Sequence, residues 1–261
     1  MGKTNEVTHA SQSAHVPAAI NFAADAGQGL ELADNKSFAI PFLLVLQGQS
    51  PQLETVDGAR PGRFFNTVTE ELYEKVMAIP CCFRREYIRW APRKMGGGYK
   101  GVLDAKAVDM RQVEGLTEYQ GQLFMDVPVG QSPVDEEGKA KFDTLSDTRN
   151  HFVLVQSARG NWQPAMLSMK STQIKKSKRW LSLIKGIEMK DAHGRLFTPA
   201  SYSHTYELVT VKEENAEGTW WGIDVKLGAP VADALLYAAA KAFHDSVMSG
   251  LIEVATPPEG A

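Results

Sequence analysis

The feature that most restricts the fold is the order in which β-patterned and helical segments follow one another between residues 77 and 228. From Met77 to Trp90, alternation and a wealth of β-formers predict one long strand, and Gly96-Gly97-Gly98 then turns the chain into Tyr99 to Leu103. His151-Phe-Val-Leu-Val-Gln156 and Trp162 to Met169 flank Ala158-Arg-Gly-Asn161, which supplies the positive-φ residues that a hairpin turn requires. A helix should follow at once, with Ser171 as its cap, Gln173 to Ile184 as its body and Gly186 as its stop. Tyr202 to Lys212 and Thr219 to Leu227, joined at Asn215 to Gly218, predict a second hairpin. Strand, hairpin, helix, hairpin reads as a mainly β, α+β fold. An OB-like antiparallel barrel with an inserted helix and a C-terminal helix is the expected form, because a five-stranded barrel of that type carries its helix at this point.

The remaining segments arrange themselves around that domain. Residues 1–36 read as a flexible N-terminal arm with a short helix around Ala18 to Ala24, and residues 37–228 as the OB-like domain. Phe38 to Leu46 is a buried strand or a short helix, Phe64 to Val68 a short strand, and Glu70 to Val76 one or two helical turns. Residues 104–150 form an acidic insertion with an exposed loop at Pro133 to Gly138. Residues 229–250 form the C-terminal helix, opened by Pro230 at its first position and closed by Gly250, and 251–261 a short tail. The longest apolar stretch, Phe38 to Leu46, is far short of the roughly 20 residues that cross a bilayer, so a soluble, cytoplasmic protein is expected. Cys81 and Cys82 are the only cysteines; adjacent thiols rarely form a structural disulfide and cannot supply four zinc ligands, which fits a reducing compartment.

The net charge of -3 conceals a segregated pattern. Residues 81–100 carry six cations against one acid and residues 170–190 seven against one, whereas 101–150 carry five against ten. Two readings are open: something anionic meets the basic blocks, or they face acidic segments of the same fold.

The first block, Cys82 to Lys94, would place Phe83, Arg85, Tyr87 and Arg89 on one face of a strand and Arg84, Glu86, Ile88 and Trp90 on the other. Rings alternating with guanidinium groups suit unpaired nucleic acid, whose bases stack at about 1–3 kcal/mol each while cations follow the phosphates. Aromatics also favour any strand, and arginine stems lie along rings with no ligand present. The second block, Lys170 to Trp180, should turn Ile174, Trp180, Leu181 and Ile184 inward and Lys175, Lys176 and Arg179 outward, with Ser171, Thr172 and Gln173 as donors to a phosphate; a plain solvated helix face has the same pattern. Arg84, Arg85, Arg89, Arg93, Lys94, Lys175, Lys176, Lys178 and Arg179, with Lys100 and Lys170 nearby, are the candidate phosphate ligands. Phe83, Tyr87, Trp90 and Tyr99 are the candidate stacking rings, Trp90 the weakest because it faces the other way. One of Trp220 and Trp221 should point into the core.

No enzyme motif stands out. Gly96-Gly97-Gly98 lacks the spacing and the following Lys-Ser or Lys-Thr of a phosphate loop, and the six histidines never pair at metal-ligand spacing. Asp104-Ala-Lys106 and Glu188-Met-Lys190 each match half of a magnesium-dependent nuclease signature, a pairing that surface charges also produce by chance. No catalytic residue, metal or cofactor is therefore expected.

Phe38-Ala-Ile-Pro-Phe-Leu, Trp90-Ala-Pro-Arg93 with Gly96-Gly-Gly-Tyr99, Asn150-His-Phe-Val-Leu154 and Ser171-Thr-Gln-Ile-Lys-Lys-Ser-Lys-Arg-Trp180 resemble a group of tailed-bacteriophage proteins described as single-stranded DNA-binding. The resemblance spans about residues 37–228. It implies a role in phage replication or recombination, with single-stranded DNA and phage replication or recombination proteins as partners, in the cytoplasm of an infected bacterium and with a possible homo-oligomer. The chain departs from that class in its ending, Leu251 to Ala261, which has two acids where a long acidic recruiting tail is usual. Non-enzymatic binding of single-stranded DNA is the expected function. A structural or host-factor-binding phage protein, using the Ala-rich helix and the tryptophans, and a magnesium-dependent nuclease at Asp104 are the alternatives.

Overall fold

In the computed structural model the described residues are 21, 23–26, 28–33, 40–216 and 218–252, and the chain divides into a unit ending at Phe38 and a second from Ala39 onward. In the first unit the described residues form turns, closed by the N–H groups of Ala24, Gln28 and Ala33 donating to the carbonyls of Asn21, Asp25 and Leu30. The helix expected around Ala18 to Ala24 lies largely outside the described residues; Ala23 and Ala24 are in a turn.

The second unit runs β1 (Leu43–Val45), α1 (Gln52–Thr55), β2 (Phe64–Asn66), β3 (Leu72–Tyr73), β4 (Lys75–Trp90), β5 (Tyr99–Asp104), α2 (Ala105–Asp109), β6 (Leu116–Tyr119) and β7 (Gln122–Met125). It continues with β8 (Thr144–Gln156), β9 (Trp162–Lys170), α3 (Ile174–Lys185), β10 (Met189–Lys190), β11 (Leu196–Phe197), β12 (His204–Asn215), β13 (Gly218–Pro230) and α4 (Ala234–Met248). The fold is mainly antiparallel β with few helices. The largest sheet has the order β13-β12-β4-β8-β7-β6, with β5 paired to the far half of β4 and β9 to β8. β4 and β8 therefore form a long ribbon shared by two half-sheets: β12, β13 and β9 flank its near half, and β5, β6 and β7 its far half.

Proline decides the geometry of that ribbon. Pro80 has no N–H to give the ladder, and the β4–β8 register shifts between Pro80 and Cys82, leaving Cys81 as the bulged residue. Before the bulge, Val76 and Ala78 enter the core under α3, where Trp180 is fully buried with Tyr206 and Leu167. Ile79 and Cys81 enter a second core with Phe152, Phe243 and Val247 under α4. Beyond the bulge the alternation is re-phased, so Phe83 turns to the α3 side and Arg84 to the α4 side.

The sheet does not close into a barrel. Among the described residues β9 and β13 share no ladder. Phe42, just before β1, makes a parallel bridge to Met166 of β9, and Gln47 brackets Trp221 of β13 by accepting its N–H and donating to its carbonyl, at 2.8 and 2.9 Å. The rest of the β13 edge is met from the helical side: Gln173 accepts the Ile223 N–H at 2.9 Å and Arg179 donates to the Val225 carbonyl at 3.0 Å. Side chains thus satisfy backbone groups that a closing strand would otherwise take. Trp221 also lies over Gly62, where an added Cβ would stand 2.6 Å from the ring, while Trp220 donates Nε1–H to Glu213.

Four expectations need correction. Glu70 to Val76 is not helical; it supplies β3 and the start of β4. The acidic 104–150 insertion, in which the only element predicted is the exposed loop at Pro133 to Gly138, also holds α2, β6, β7 and the first half of β8. Pro230 ends β13, and Asp233 caps α4 by accepting the N–H groups of Leu235 and Leu236. Ser171 does not cap α3; it takes a left-handed φ of 49° where β9 turns into a short 3-10 segment, and Gly186 keeps a right-handed φ of -79°.

Candidate nucleic-acid interface

The two faces of the far half of β4 differ sharply. On the α3 side, the Phe83 ring lies 5.0 Å from that of His151, which in turn stacks on Trp180 at 4.5 Å. His151 is buried, and loss of solvent pushes its imidazole down to about 3; its Nε2 sits 2.8 Å from Ser177 Oγ on α3. Arg85 grips Asp147 through Nε and Nη2 at 3.0 and 2.9 Å, also donates to Asp109 at the end of α2, and reaches the Tyr87 hydroxyl at 3.0 Å. Hydrogen bonding from Arg85 holds the Asp109 carboxyl below its ordinary value. Arg89 donates to Asp143 at 2.6 Å and to Asp126 at 2.7 Å. Each guanidinium on this face therefore meets two carboxylates, and Tyr87 is buried against Ala105 and Val108 of α2.

On the other face, Arg84 donates to the Val247 carbonyl in the last turn of α4 at 3.2 Å and stands 5.6 Å over the Phe152 ring. Glu86 accepts a hydrogen bond from Asn150 at 2.8 Å. Beyond this network a cleft of about 950 Å³ opens. Trp90, Arg93, Lys94 and Gly96 to Gly98 of the β4–β5 connection form one wall, Lys139 and Ala140 a second, and Lys170 with Ser171 a third. The triglycine turn is required, because Gly96, Gly97 and Gly98 have φ of 97°, 66° and 105°. The Tyr99 ring stands edge-on to Trp90 at 6.2 Å, and Lys170 Nζ lies 6.0 Å from the Trp90 ring centre.

The charges here are only partly answered. Asp135 holds Lys94 and Glu137 holds Lys139, but among the described residues Arg93, Lys100 and Lys170 have no ion pair. Burial pushes the Lys170 ammonium below its ordinary value. A half-buried cation without a counter-charge gains when an anion arrives. The chain turns into its helix at Ser171 beside Lys170, so the positive end of the helix dipole adds to the same potential.

α3 itself spends part of its charge on the fold. Lys176 pairs with Glu213 at 2.8 Å, and Arg179 with Asp224 at 2.8 Å. Lys175 and Lys178 are exposed and have no ion pair among the described residues.

The chain matches the family described as Pam3 phage gp34-like protein over residues 8–253, nearly its whole length. It belongs to that phage family. No curated protein and no solved structure matches it.

In this Pam3 phage gp34-like protein, Trp90, Arg93, Lys94 and Lys170 surround one cleft, with Tyr99 against Trp90 and Lys100 exposed beside it. Phe83, Arg85, Tyr87 and Arg89 are not brought there; they lie on the opposite face of β4, and Arg84 anchors α4. Lys139 is a cleft cation that sequence reasoning missed, as it did the acids at 109, 126, 135, 143 and 147 that answer the basic strand. The available signal was the acidic 101–150 segment lying between two basic blocks. Asp104 accepts the Ala107 N–H at 2.8 Å as the N-cap of α2. Among the described residues no group of three or more His, Cys, Asp or Glu is placed to hold a metal, and no helix is long and apolar enough to cross a membrane.

Proposed function

We propose that this phage protein binds single-stranded DNA with little sequence preference, during phage replication or recombination, and that it does so in the cleft rather than along the aromatic-arginine face of β4. The observation that carries the reading is the meeting of Trp90 and Tyr99 with Arg93 and Lys170, two cations that no carboxylate answers among the described residues. Unpaired bases need open rings, and phosphates need cations not already engaged; both occur here within one concavity. Lys100, Lys175 and Lys178, likewise without ion pairs, extend the cationic surface beyond the cleft. Binding of this kind makes and breaks no covalent bond.

An OB-like core is part of the proposal. With β4, β8, β9, β12 and β13 taken as strands one to five, strand one pairs with two and four, two with three, and four with five, while α3 follows strand three. That pairing supports an OB-like reading, in which β1, Gln47 and the start of α3 would take over the closing contact. Folds of this type hold single strands on the face of their middle strands.

A titration of labelled poly-dT, with the wild type and Trp90→Ala, tests the reading. Wild-type affinity should fall as salt rises, and loss of the ring should weaken binding at least about fivefold without changing the melting curve. Absence of binding at low salt, or equal affinity of the two proteins, would overturn it.

A further inference from the structure

The wall of the cleft formed by Lys139 and Ala140 belongs to a turn built around Asp135. One carboxylate oxygen of Asp135 accepts the N–H groups of Glu137 and Lys139 at 3.0 and 2.9 Å, and its backbone N–H donates to the Lys139 carbonyl at 2.9 Å. Val134 and Ala140 are bridged across the base. This fixes the second oxygen of Asp135 on Lys94 Nζ, across the cleft from the turn, while Glu137 meets Lys139 at 2.6 Å. Of the four cations lining the cleft, the turn thus occupies two, Lys94 and Lys139, and leaves Arg93 and Lys170 open.

A carboxylate oxygen on an ammonium group occupies the position that a phosphate oxygen would take. We propose that the 133–141 turn is an internal counter-anion of the cleft, which the phosphates of a bound strand must displace from Lys94 and Lys139. The inference rests on the nucleic-acid reading above and adds its regulation. Affinity is held below what the four cations could supply, and the engaged pair adds little to the salt dependence because the displaced carboxylates stay beside the bound phosphates and leave the net charge of each pair near zero. An acidic turn of this kind also screens the cleft from weak, isolated anions while yielding to a polyanion that supplies several phosphates at once.

The test uses the full chain with poly-dT at several salt concentrations. Asp135→Asn keeps the oxygen that organises the turn and removes the negative charge facing Lys94; Glu137→Gln removes the one facing Lys139. The double variant should bind about threefold or more tightly at low salt, with a log–log salt slope steeper by up to about 1.4, or about 0.7 for each released cation. A general loss of negative charge would also tighten binding, so Lys94→Gln is placed in both backgrounds: the gain from Asp135→Asn should vanish when Lys94 is absent. Wild-type binding with no gain in the Asp135→Asn protein, or a gain that survives in Lys94→Gln, overturns the counter-anion. Failure of wild type and variants alike to bind at low salt overturns the nucleic-acid reading itself.

Discussion

On the α3 side of β4, Arg85 and Arg89 each meet two carboxylates, whereas on the cleft side Arg93 and Lys170 meet none among the described residues. The same contrast holds for the rings: Phe83 and Tyr87 pack against His151 and α2, while Trp90 lines the cleft and Tyr99, edge-on to it, is exposed. Both regions have the composition expected of a nucleic-acid platform, and both draw on β4, although the cleft adds Arg93 from the β4–β5 connection, Tyr99 from β5 and Lys170 from β9. The alternation of a strand assigns residues to faces, but availability for a ligand is set by which acids the rest of the chain delivers to each face. The acids arrive from α2, the segment after β7 and the first half of β8, all within the acidic 101–150 stretch. A half-buried guanidinium held by two carboxylates serves the fold, because releasing it would expose both acids to each other.

The contrast can be broken by substitution. Trp180→Ala on the α3 side should cost about 3–5 kcal/mol in denaturant unfolding, since the ring is fully buried between His151 and Tyr206. A loss below about 1 kcal/mol would mean that this side is not a core. Arg85→Gln should lower stability by on the order of 2 kcal/mol, through the uncompensated Asp109 and Asp147, yet leave the affinity for poly-dT and its salt slope unchanged. A selective loss of affinity would return the arginine face to the binding site.

Stability should also depend on pH. Folding holds the His151 imidazole at about 3 by burying it, beside Arg149, while the unfolded chain has an ordinary histidine near 6.5. Between those values the unfolded state binds the extra proton, so stability is full above about pH 6.5 and declines as pH falls toward 3, by at most about 1.4 kcal/mol per unit. His151→Gln, which keeps a hydrogen-bonding group facing Ser177, should flatten urea-unfolding free energies over this range relative to wild type. Identical slopes for the two proteins would show that His151 is not the group that acid protonates.

Much of this was legible in the sequence, in the places where pattern and chemistry agreed. The hairpins around Gly160 and around residues 215–218, and the helix after Met169, follow from alternation, turn residues and an apolar stripe. β8 is longer than the sequence suggests because its first half, Thr144-Leu-Ser-Asp-Thr-Arg-Asn150, is largely polar, with Asp147 accepting from Arg85 and Asn150 donating to Glu86 on β4. The open edge of β13 could not be read at all, since Gln47, Gln173 and Arg179 reach it from distant parts of the chain. Within the site, Trp90, Arg93, Lys94, Tyr99 and Lys170 could be named from their blocks; that Lys94 among them is paired depends on Asp135, 41 residues away. Pro80 lies inside the segment predicted as one unbroken strand from Met77 to Trp90, and the re-phasing at this residue depends on the partner strand.

The most direct measurement is the salt dependence of poly-dT affinity for wild type, Arg93→Gln/Lys170→Gln and Arg85→Gln/Arg89→Gln, each checked for folding by its melting curve. The account predicts that the cleft pair lowers the log–log slope by about 1.4 and weakens binding, while the strand-face pair leaves the slope of its folded fraction as in wild type. An unchanged slope for the cleft pair together with a reduced one for the strand-face pair would contradict it.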